Sequence, residues 1–327
     1  MLKSGLGNLL CSLTLTLVVP LTAAAQGSAD NYPSRPITAI IPFAAGGPTD
    51  NEGRIYTNKL TETMGQPFVF DFRPGAGNRI GTTTLIKAPA DGYTLMFTAA
   101  TLSVIPLMYT DLPYDLYKVV APVSLVSKRY AVLVGAPDVP FNNFREYLAY
   151  AKANPGKINM ATSGVGGSQH LTNVWLDSYT GTQTTQVHYK GTGPIIPDLM
   201  AGRVHVYFGT LLTVLPHFKT GKLRPIAQAS LERNPALGDL PTIAESGYPG
   251  FEYSSWLGLL APAGTPLPIR NKLAAEINKV QKMPDIVKRM GTDIQLVGSS
   301  PVEFERFYMQ EYERWKKLVK EANIQFE

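Results

Sequence analysis

The sequence has almost no cysteine and no concentrated block of charge. Cys11 is the single cysteine among 327 residues, and it lies in an apolar N-terminal segment. Without Cys11 the chain can form no disulfide, no thiolate nucleophile and no cysteine-ligated metal site. Charged residues make up 17% of the chain, and no basic run exceeds two residues. We therefore expect neither a nucleic-acid partner nor a polybasic membrane anchor.

The first 25 residues have the pattern of an export signal. Lys3 precedes an apolar stretch from about Leu9 to Leu21, and Ala23-Ala24-Ala25 precede Gln26. This order is typical of a secretory signal peptide. An uncleaved anchor is the alternative, but polar residues interrupt the stretch, which is short for a membrane span of about 20 residues. We predict export with cleavage before Gln26, which also removes the cysteine.

The rest of the chain predicts an α/β fold. At about 150 residues per domain, the length suggests two domains. Short β-rich runs alternate with helical spacings from Arg35 almost to the end, an order that favours largely parallel sheets. The predicted strands are Ile37 to Pro42, Phe68 to Phe72, Thr94 to Thr98, Ala131 to Gly135, Ile158 to Thr162, Val204 to Phe208 and Leu223 to Ala229.

The last predicted helix is the best specified. Ser300 and Glu303 form a capping box, and Pro301 occupies the first helical position. Its apolar stripe consists of Phe304, Phe307, Tyr308, Trp315, Leu318 and Val319. We expect this helix to pack on the first sheet, so that the chain returns to its first domain and two segments cross between the domains.

Three predicted strands end in turns that lead directly into a helix. The glycine-rich turns run from Pro42 to Asp50 and from Thr162 to His170, and a looser one runs from Thr98 to Ser103. In open α/β sheets ligands bind at such strand ends, where the helix start offers free N–H groups and a positive dipole end. Glycine lets a ligand approach the main chain closely. Two facing turns of this kind suit a ligand with carboxylates at its ends.

Several of these residues have a second interpretation. Asp50 and Ser168 are good helix N-caps and need have no other role. His170 is a candidate donor to an anion, whereas Arg73 either binds a carboxylate or forms a salt bridge that holds its loop. The histidines lack metal-ligand spacing and no nucleotide-binding motif is correctly spaced, so we expect no metal and no cofactor.

The chain resembles the periplasmic solute receptors of tripartite tricarboxylate transporters, known as Bug receptors. The likeness extends over essentially the whole mature chain. Its motifs are Tyr32-Pro33-Ser34-Arg35-Pro36-Ile37, the Pro42 to Asp50 loop, Arg73-Pro74-Gly75-Ala76-Gly77, Lys87-Ala88-Pro89-Ala90-Asp91-Gly92-Tyr93-Thr94-Leu95, Ala121-Pro122-Val123-Ser124-Leu125, Ala153-Asn154-Pro155-Gly156-Lys157, Gly166-Gly167-Ser168-Gln169-His170-Leu171, Tyr189-Lys190-Gly191, Pro241-Thr242-Ile243-Ala244-Glu245-Ser246-Gly247 and Leu259-Leu260-Ala261-Pro262-Ala263-Gly264-Thr265-Pro266.

The resemblance implies a periplasmic two-domain clamshell that binds a carboxylate and is not an enzyme. Domain 1 would comprise residues 32–125 and 253–327, and domain 2 residues 126–252. The receptor would act as a monomer and deliver its ligand to a two-subunit membrane permease without ATP. The residues expected at the ligand site are Phe43, Ala44, Gly46, Gly47, Thr49, Asp50, Thr98, Thr101, Ser163, Gly164, Gly166, Ser168, His170 and Thr210.

Some positions depart from the family pattern. Phe208-Gly209-Thr210 stands where Phe-Asp-Asn is common, so an acidic group near the cleft is lost. This loss favours a plain aliphatic or aromatic carboxylate over an amino acid, while the choice between di- and tricarboxylates stays open. An exported hydrolase that uses Ser163 or Ser168 with His170 is the alternative function. It is disfavoured because the sequence lacks a complete nucleophile elbow and side chains two apart on a helix do not face each other.

Overall fold

The computed structural model describes residues 29–109, 111–165, 167–291 and 294–321, so the predicted signal peptide lies outside the described residues. The strands are β1 Ile37–Ile41, β2 Phe68–Phe72, β3 Thr94–Ala99, β4 Val120–Gly135, β5 Asn159–Thr162, β6 Thr185–His188, β7 Val206–Thr210, β8 Arg224–Gln228, β9 Ser254–Pro262 and β10 Ile294–Leu296. The helices are α1 Pro48–Met64, α2 Arg79–Ile86, α3 Thr101–Met108, α4 Leu116–Val119, α5 Phe144–Ala153, α6 Ser168–Thr180, α7 Ile195–Met200, α8 Leu211–Phe218, α9 Leu267–Gln281, α10 Pro284–Met290 and α11 Pro301–Glu321.

The strands form two sheets that share the long strand β4. The order is β2-β1-β3-β9-β4-β7-β5-β6, and β8 and β10 also pair with β4. From Val120 to Tyr130 β4 pairs with β9, and from Ala131 to Gly135 it pairs with β7. We call the part of the molecule built on β1, β2, β3, β9, β10 and the start of β4 the first lobe, and the part built on the end of β4 with β5 to β8 the second lobe.

Two segments cross between the lobes. The first is β4, and the second is the return of the chain into β9, where the Tyr253 N–H donates to the Ala229 carbonyl at 2.7 Å just before the strand begins. The predicted α/β class and its two crossings are confirmed.

The sheets are mixed, which corrects the expectation that they are mainly parallel. β1 is parallel to β2 and β3, and β5 is parallel to β6 and β7. β4 and β9 are antiparallel to each other, and their other partners also run antiparallel to them. The crossing strands differ because β4 carries the chain out of the first lobe and β9 carries it back, and such a return pairs antiparallel without a helical crossover.

The C-terminal helix α11 begins and packs as predicted. The Glu303 N–H donates to Ser300 Oγ at 3.3 Å, and the Ser300 N–H donates to Glu303 Oε2 at 2.8 Å, which is a reciprocal capping box. Phe304 and Tyr308 are buried in the first-lobe core with Trp256. Further along, Trp315 is buried against Leu171 of α6. The helix therefore also reaches the second lobe.

Candidate functional site

The first glycine-rich loop leads from β1 into α1. Gly47 is the N-cap and Pro48 is the first helical residue. The Asp50 carboxylate accepts a hydrogen bond from the Gly46 N–H at 2.8 Å and lies 2.7 Å from Arg54 Nε. Gly46 has a φ of 81°, a left-handed conformation that favours glycine. The second interpretation of Asp50, as the N-cap, is therefore wrong: Asp50 lies inside the first helical turn and stabilises the loop from there.

The second glycine-rich loop leads from β5 into α6 in the same way. Gly167 is the N-cap and Ser168 is the first helical residue, so Ser168 is not the N-cap either. The Ser168 hydroxyl is buried and lies 3.5 Å from the Tyr253 hydroxyl. Gly166, which the sequence analysis places at the ligand site, lies outside the described residues.

The side-chain amide of Gln169 holds the second loop in place. Its Oε1 accepts a hydrogen bond from the Ser163 N–H at 3.0 Å. Its Nε2 donates to the Phe208 carbonyl at 2.9 Å and to the Tyr207 hydroxyl at 3.0 Å. The loop is thereby tied to β7. The sequence analysis did not single out Gln169, because its partners lie 38 and 39 residues away.

The two loops each approach the opposite lobe. A Cβ placed on Gly47 would lie 3.8 Å from Thr192 Oγ1, in the second lobe. A Cβ placed on Gly167 would lie 3.7 Å from Thr101 Oγ1, at the start of α3 in the first lobe. The N-termini of α1 and α6 therefore lie where the lobes meet, and their dipole ends favour negatively charged groups there.

His170 lies in the first turn of α6 and packs against a second histidine. Its ring is 4.7 Å from the His188 ring, edge to face. Burial, with a smaller contribution from His188, lowers the pKa of His170 to about 4. Desolvation also lowers the pKa of His188. At neutral pH His170 is uncharged, so it can contribute a hydrogen bond to an anion but not a positive charge.

The threonines named from the sequence are buried or half-buried at strand ends and helix starts. Thr98 lies near the end of β3, and its buried hydroxyl has no hydrogen-bond partner in the described part of the chain. Thr210 follows Gly209 at the end of β7, with its hydroxyl 3.1 Å from Thr213 Oγ1. Thr49 is buried in the first turn of α1. The positions of Thr98 and Thr210 place one hydroxyl at a strand end in each lobe.

The other predicted loop residues are half-buried or exposed. Phe43 is half-buried and packs on the first-lobe core, whereas Ala44 is exposed. Ser163 and Gly164 are half-buried, and the Gly164 carbonyl accepts from Thr162 Oγ1 at 3.1 Å. Small or main-chain groups therefore form much of both loops.

Several further candidates have structural roles. Arg73 Nε lies 2.9 Å from the Asp71 carboxylate, which agrees with the salt-bridge interpretation. His205 Nδ1 accepts from the Asn159 N–H at 2.9 Å. The described residues contain no group of three or more side chains placed to hold a metal ion. Among the described helices, none is both long and apolar enough to cross a membrane.

A buried ion pair between α1 and β4 was not foreseen from the sequence. Arg129 of β4 donates from Nε to Glu52 Oε2 of α1 at 2.6 Å, and their side chains are 2% and 1% exposed. The two residues are 77 positions apart. No local spacing pattern connects residues at that separation.

Two surface pockets lie away from the glycine-rich loops. One, of about 570 Å³, runs along α2 and is lined by Arg79 and Lys87 among others. The other, of about 690 Å³, lies between α9 and the start of α11. Neither is lined by a residue of the two loops, so we assign them no part in ligand binding.

Two lobes joined by two crossing segments, with paired helix starts at their junction, define the class of two-domain solute-binding proteins. Solved structures agree. BugD, a periplasmic binding protein, superposes with a TM-score of 0.84 at 34% identity, over 90% of this chain and 100% of that chain. Rpa4515 of R. palustris, solved with adipate, gives 0.85 at 31% identity, over 91% and 100% of the chains. MatC of Rhodopseudomonas palustris, with bound malate, gives 0.82 at 30%, over 88% and 100%.

The family is equally well defined. The model of the tripartite tricarboxylate transporter family receptor matches residues 53–324, and the chain belongs to this family. BugT of Bordetella pertussis is 35% identical over 302 residues, which are 91% of this chain and 93% of BugT. A UPF0065 protein encoded in the tcbD-tcbE intergenic region of Pseudomonas sp. strain P51 is 36% identical over 324 residues, or 98% and 95% of the two chains.

Membership confirms the predicted family and its general role. These proteins are periplasmic solute-binding receptors, which are not enzymes. The alternative hydrolase also finds no support in the site. The Ser168 hydroxyl is directed to Tyr253, while the His170 ring packs on His188.

Proposed function

We propose that this protein captures a small organic acid with two or more carboxylates between the two glycine-rich loops. The observation that carries the proposal is the approach of each loop to the opposite lobe, Gly47 to Thr192 and Gly167 to Thr101. Each loop begins a helix with a glycine N-cap. Main-chain N–H groups at both helix starts would then bind the carboxylates, and closure of the lobes would hold the ligand.

We further propose a plain dicarboxylate without an ammonium group as the ligand class. The adipate bound to Rpa4515 and the malate bound to MatC support this class. Gly209, where an acidic residue is common in the family, supports it as well. A Cβ placed on Gly209 would collide with Val214 Cγ1. An acidic side chain that could pair with an ammonium group is therefore missing, and Val214 takes the space that it would need.

The wider role follows from the family. The receptor would be exported with cleavage before Gln26, act as a monomer and deliver its ligand to a two-subunit membrane permease. We retain the predicted domain limits 125/126 and 252/253 as part of this proposal: β4 changes its partner from β9 to β7 between Tyr130 and Ala131, five residues after the first limit, and β9 begins at Ser254, next to the second. Ligand-driven closure would present both lobes to the permease together.

A thermal-shift screen of mono-, di- and tricarboxylates, followed by calorimetry, tests this function. We expect malate, adipate or a related dicarboxylate to raise the unfolding temperature in a saturable manner, since a ligand that binds only the folded state stabilises it. Aspartate and glutamate are the matched controls for succinate and glutarate in the screen, because they add only an ammonium group to these two acids. Tighter binding of either amino acid than of every plain acid would refute the ligand class, and no stabilisation by any carboxylate would refute the function.

A further inference from the structure

The buried ion pair between α1 and β4 belongs to a larger set of polar contacts. Glu52 uses both carboxylate oxygens, since Oε2 accepts from Arg129 Nε at 2.6 Å and Oε1 accepts from the Ser127 hydroxyl. Arg129 Nη2 also points toward the Pro48 carbonyl, at 3.5 Å. Ser127 is fully buried. The start of α1 is thus connected to β4 through two residues of that strand.

A second contact one helical turn further along joins the same two elements. Gln281 Nε2 lies 3.2 Å from the Tyr56 hydroxyl and donates to the Val126 carbonyl of β4 at 2.6 Å. Glu52 and Tyr56 are four residues apart and so lie on one face of α1. The buried face of α1 is therefore connected by polar groups to a short stretch of β4.

That stretch of β4 lies where the strand passes from one lobe to the other. Arg129 is paired with Ser255 of β9 and Ile294 of β10, and from Ala131 onward β4 pairs with β7 of the second lobe. Burial raises the pKa of Tyr253, whose hydroxyl lies 3.5 Å from the Ser168 hydroxyl, to about 12, and the positive charge of Arg129 offsets a small part of this rise. Arg129 therefore contacts the start of α1 and lies near Tyr253, whose hydroxyl neighbours Ser168 at the start of α6.

Stability alone does not account for this arrangement. Removing two charges from water is costly, and apolar replacements of a buried pair are often neutral or stabilising. A buried ion pair contributes orientational specificity, because the guanidinium and the carboxylate accept only a narrow relative geometry. Arg129 lies two residues before β4 enters the second lobe, so the pair is suited to fixing the start of α1 relative to the point where this strand crosses.

We propose that Glu52 and Arg129 are positioning residues for ligand binding, which set the orientation of the α1 start relative to the second lobe. Neither touches the ligand in this scheme. The claim that they affect affinity rests on the proposed function, whereas the claim that they set the position of α1 does not.

The test replaces both charges at once. In the double variant Glu52→Leu/Arg129→Met no buried charge is left without its partner, so the protein should fold with an unfolding temperature near that of the wild type. Because the chain has no cysteine after Gln26, spin labels can be placed at Asn58→Cys on α1 and Lys152→Cys in the second lobe, both exposed. Pulsed electron paramagnetic resonance then measures the α1-to-second-lobe distance without ligand.

We expect a shifted or broadened distance distribution and an affinity for malate or adipate at least about tenfold weaker. Arg35→Met, which breaks an exposed ion pair with Asp91 in the first lobe, is the matched control and should change neither. An unchanged distance distribution, or an affinity within twofold of the wild type, would overturn the proposal.

A second variant and a ligand-free measurement cover the cases in which the double variant does not fold or the wild type binds no carboxylate. If the double variant does not fold, Ser127→Ala removes one hydrogen bond to Glu52 and retains the ion pair. The distance distribution and the carboxylate affinity are then measured for this variant. We expect about a threefold loss of affinity, and the proposal is overturned if neither measurement changes. If wild-type protein binds no carboxylate, the proposed function fails, and the ligand-free distance distribution alone decides whether the pair positions α1.

Discussion

The two glycine-rich loops have the same backbone plan but are held by different kinds of groups. Charged side chains hold the first loop, through Asp50 in its own helical turn and the Glu52–Arg129 pair beneath it. Neutral side chains hold the second loop, chiefly the Gln169 amide and the Ser168 hydroxyl. The first turn of α1 contains an acid, and that of α6 contains none.

This difference bears on how a carboxylate would be shared between the loops. The Asp50 carboxylate already occupies part of the positive field at the start of α1, although Arg54 offsets its charge. No such carboxylate competes with a ligand at the start of α6. We therefore expect the second loop to contribute more of the electrostatic attraction for an anion and the first to contribute more to positioning.

The largest expected effect is a loss of stability when Glu52, one of the charged residues that hold the first loop, is replaced. Glu52→Leu leaves Arg129 buried without its partner and should lower the free energy of unfolding by about 3–5 kcal/mol. Gln169→Ala, the matched change in the neutral anchor, should cost about 1–3 kcal/mol. Chemical denaturation measures both. Equal losses would mean that charge does not distinguish the two anchors.

Carboxylate affinity measures how much the side chains of the second loop contribute to binding. Ser168→Ala and His170→Ala should each weaken carboxylate binding by about two- to tenfold, the value of a hydrogen bond, without unfolding the protein. His217→Ala, in the last turn of α8 of the same lobe, is the control and should leave affinity unchanged. Isothermal titration calorimetry with malate and adipate measures the effect, and unchanged affinity in both variants would count against this site.

A smaller change, an increase in carboxylate affinity, is expected from a substitution in the first loop. Asp50→Asn keeps an acceptor for the Gly46 N–H but removes the charge, so carboxylate affinity should rise by about two- to fivefold, as expected for about 0.3–1 kcal/mol at a helix start. Asp285→Asn, in the first turn of α10, provides the control. Weaker binding by the Asp50 variant would show that its charge serves the site.

The smallest expected effect on binding concerns pH. Because the pKa of His170 is lowered to about 4, this residue stays neutral between pH 6 and 8, and carboxylate affinity should change less than about twofold there. A steep rise in affinity from pH 8 to pH 6 that His170→Gln abolishes would contradict this picture.

Stability should respond to the same residue at lower pH. The unfolded chain takes up a proton on this histidine near its ordinary pKa of about 6.5, before the folded protein does, so stability is lost as pH falls from about 6.5 toward 4. Replacing His170 by Gln should reduce the fall in unfolding temperature across that range. Differential scanning calorimetry measures the unfolding temperature. An equal fall in the variant would show that other groups cause the loss of stability at low pH.

Features with local causes were predicted well. The Ser300–Glu303 capping box and the helix starts after β1 and β5 depend on residues within a few positions of one another. The seven predicted strands are present, six of them with small shifts or none at their ends, whereas β4 begins at Val120 and not at the predicted Ala131. The strands that were not predicted are β6, β9 and β10. β10 has three residues and is held by its pairing with β4.

The site was predicted less completely because its supports join distant residues. Gln169 lies inside a recognised motif, yet its role depends on Tyr207 and Phe208 in another strand. Glu52 and Arg129 have no local signal at all. The alternative interpretation of Asp50 and Ser168 as helix N-caps was wrong, because Gly47 and Gly167 occupy the cap positions and both side chains lie inside the first helical turn.

The sequence alone was enough to establish the family, the α/β class, the two glycine-rich helix starts and the C-terminal helix α11. Each of these features depends on short motifs whose residues are neighbours in the chain. Only the tertiary structure decided that each loop lies against the opposite lobe, that His170 is buried beside His188, and that a hidden ion pair joins α1 to the crossing strand. These depend on contacts between residues far apart in the chain, whose distances are set by how the two lobes pack.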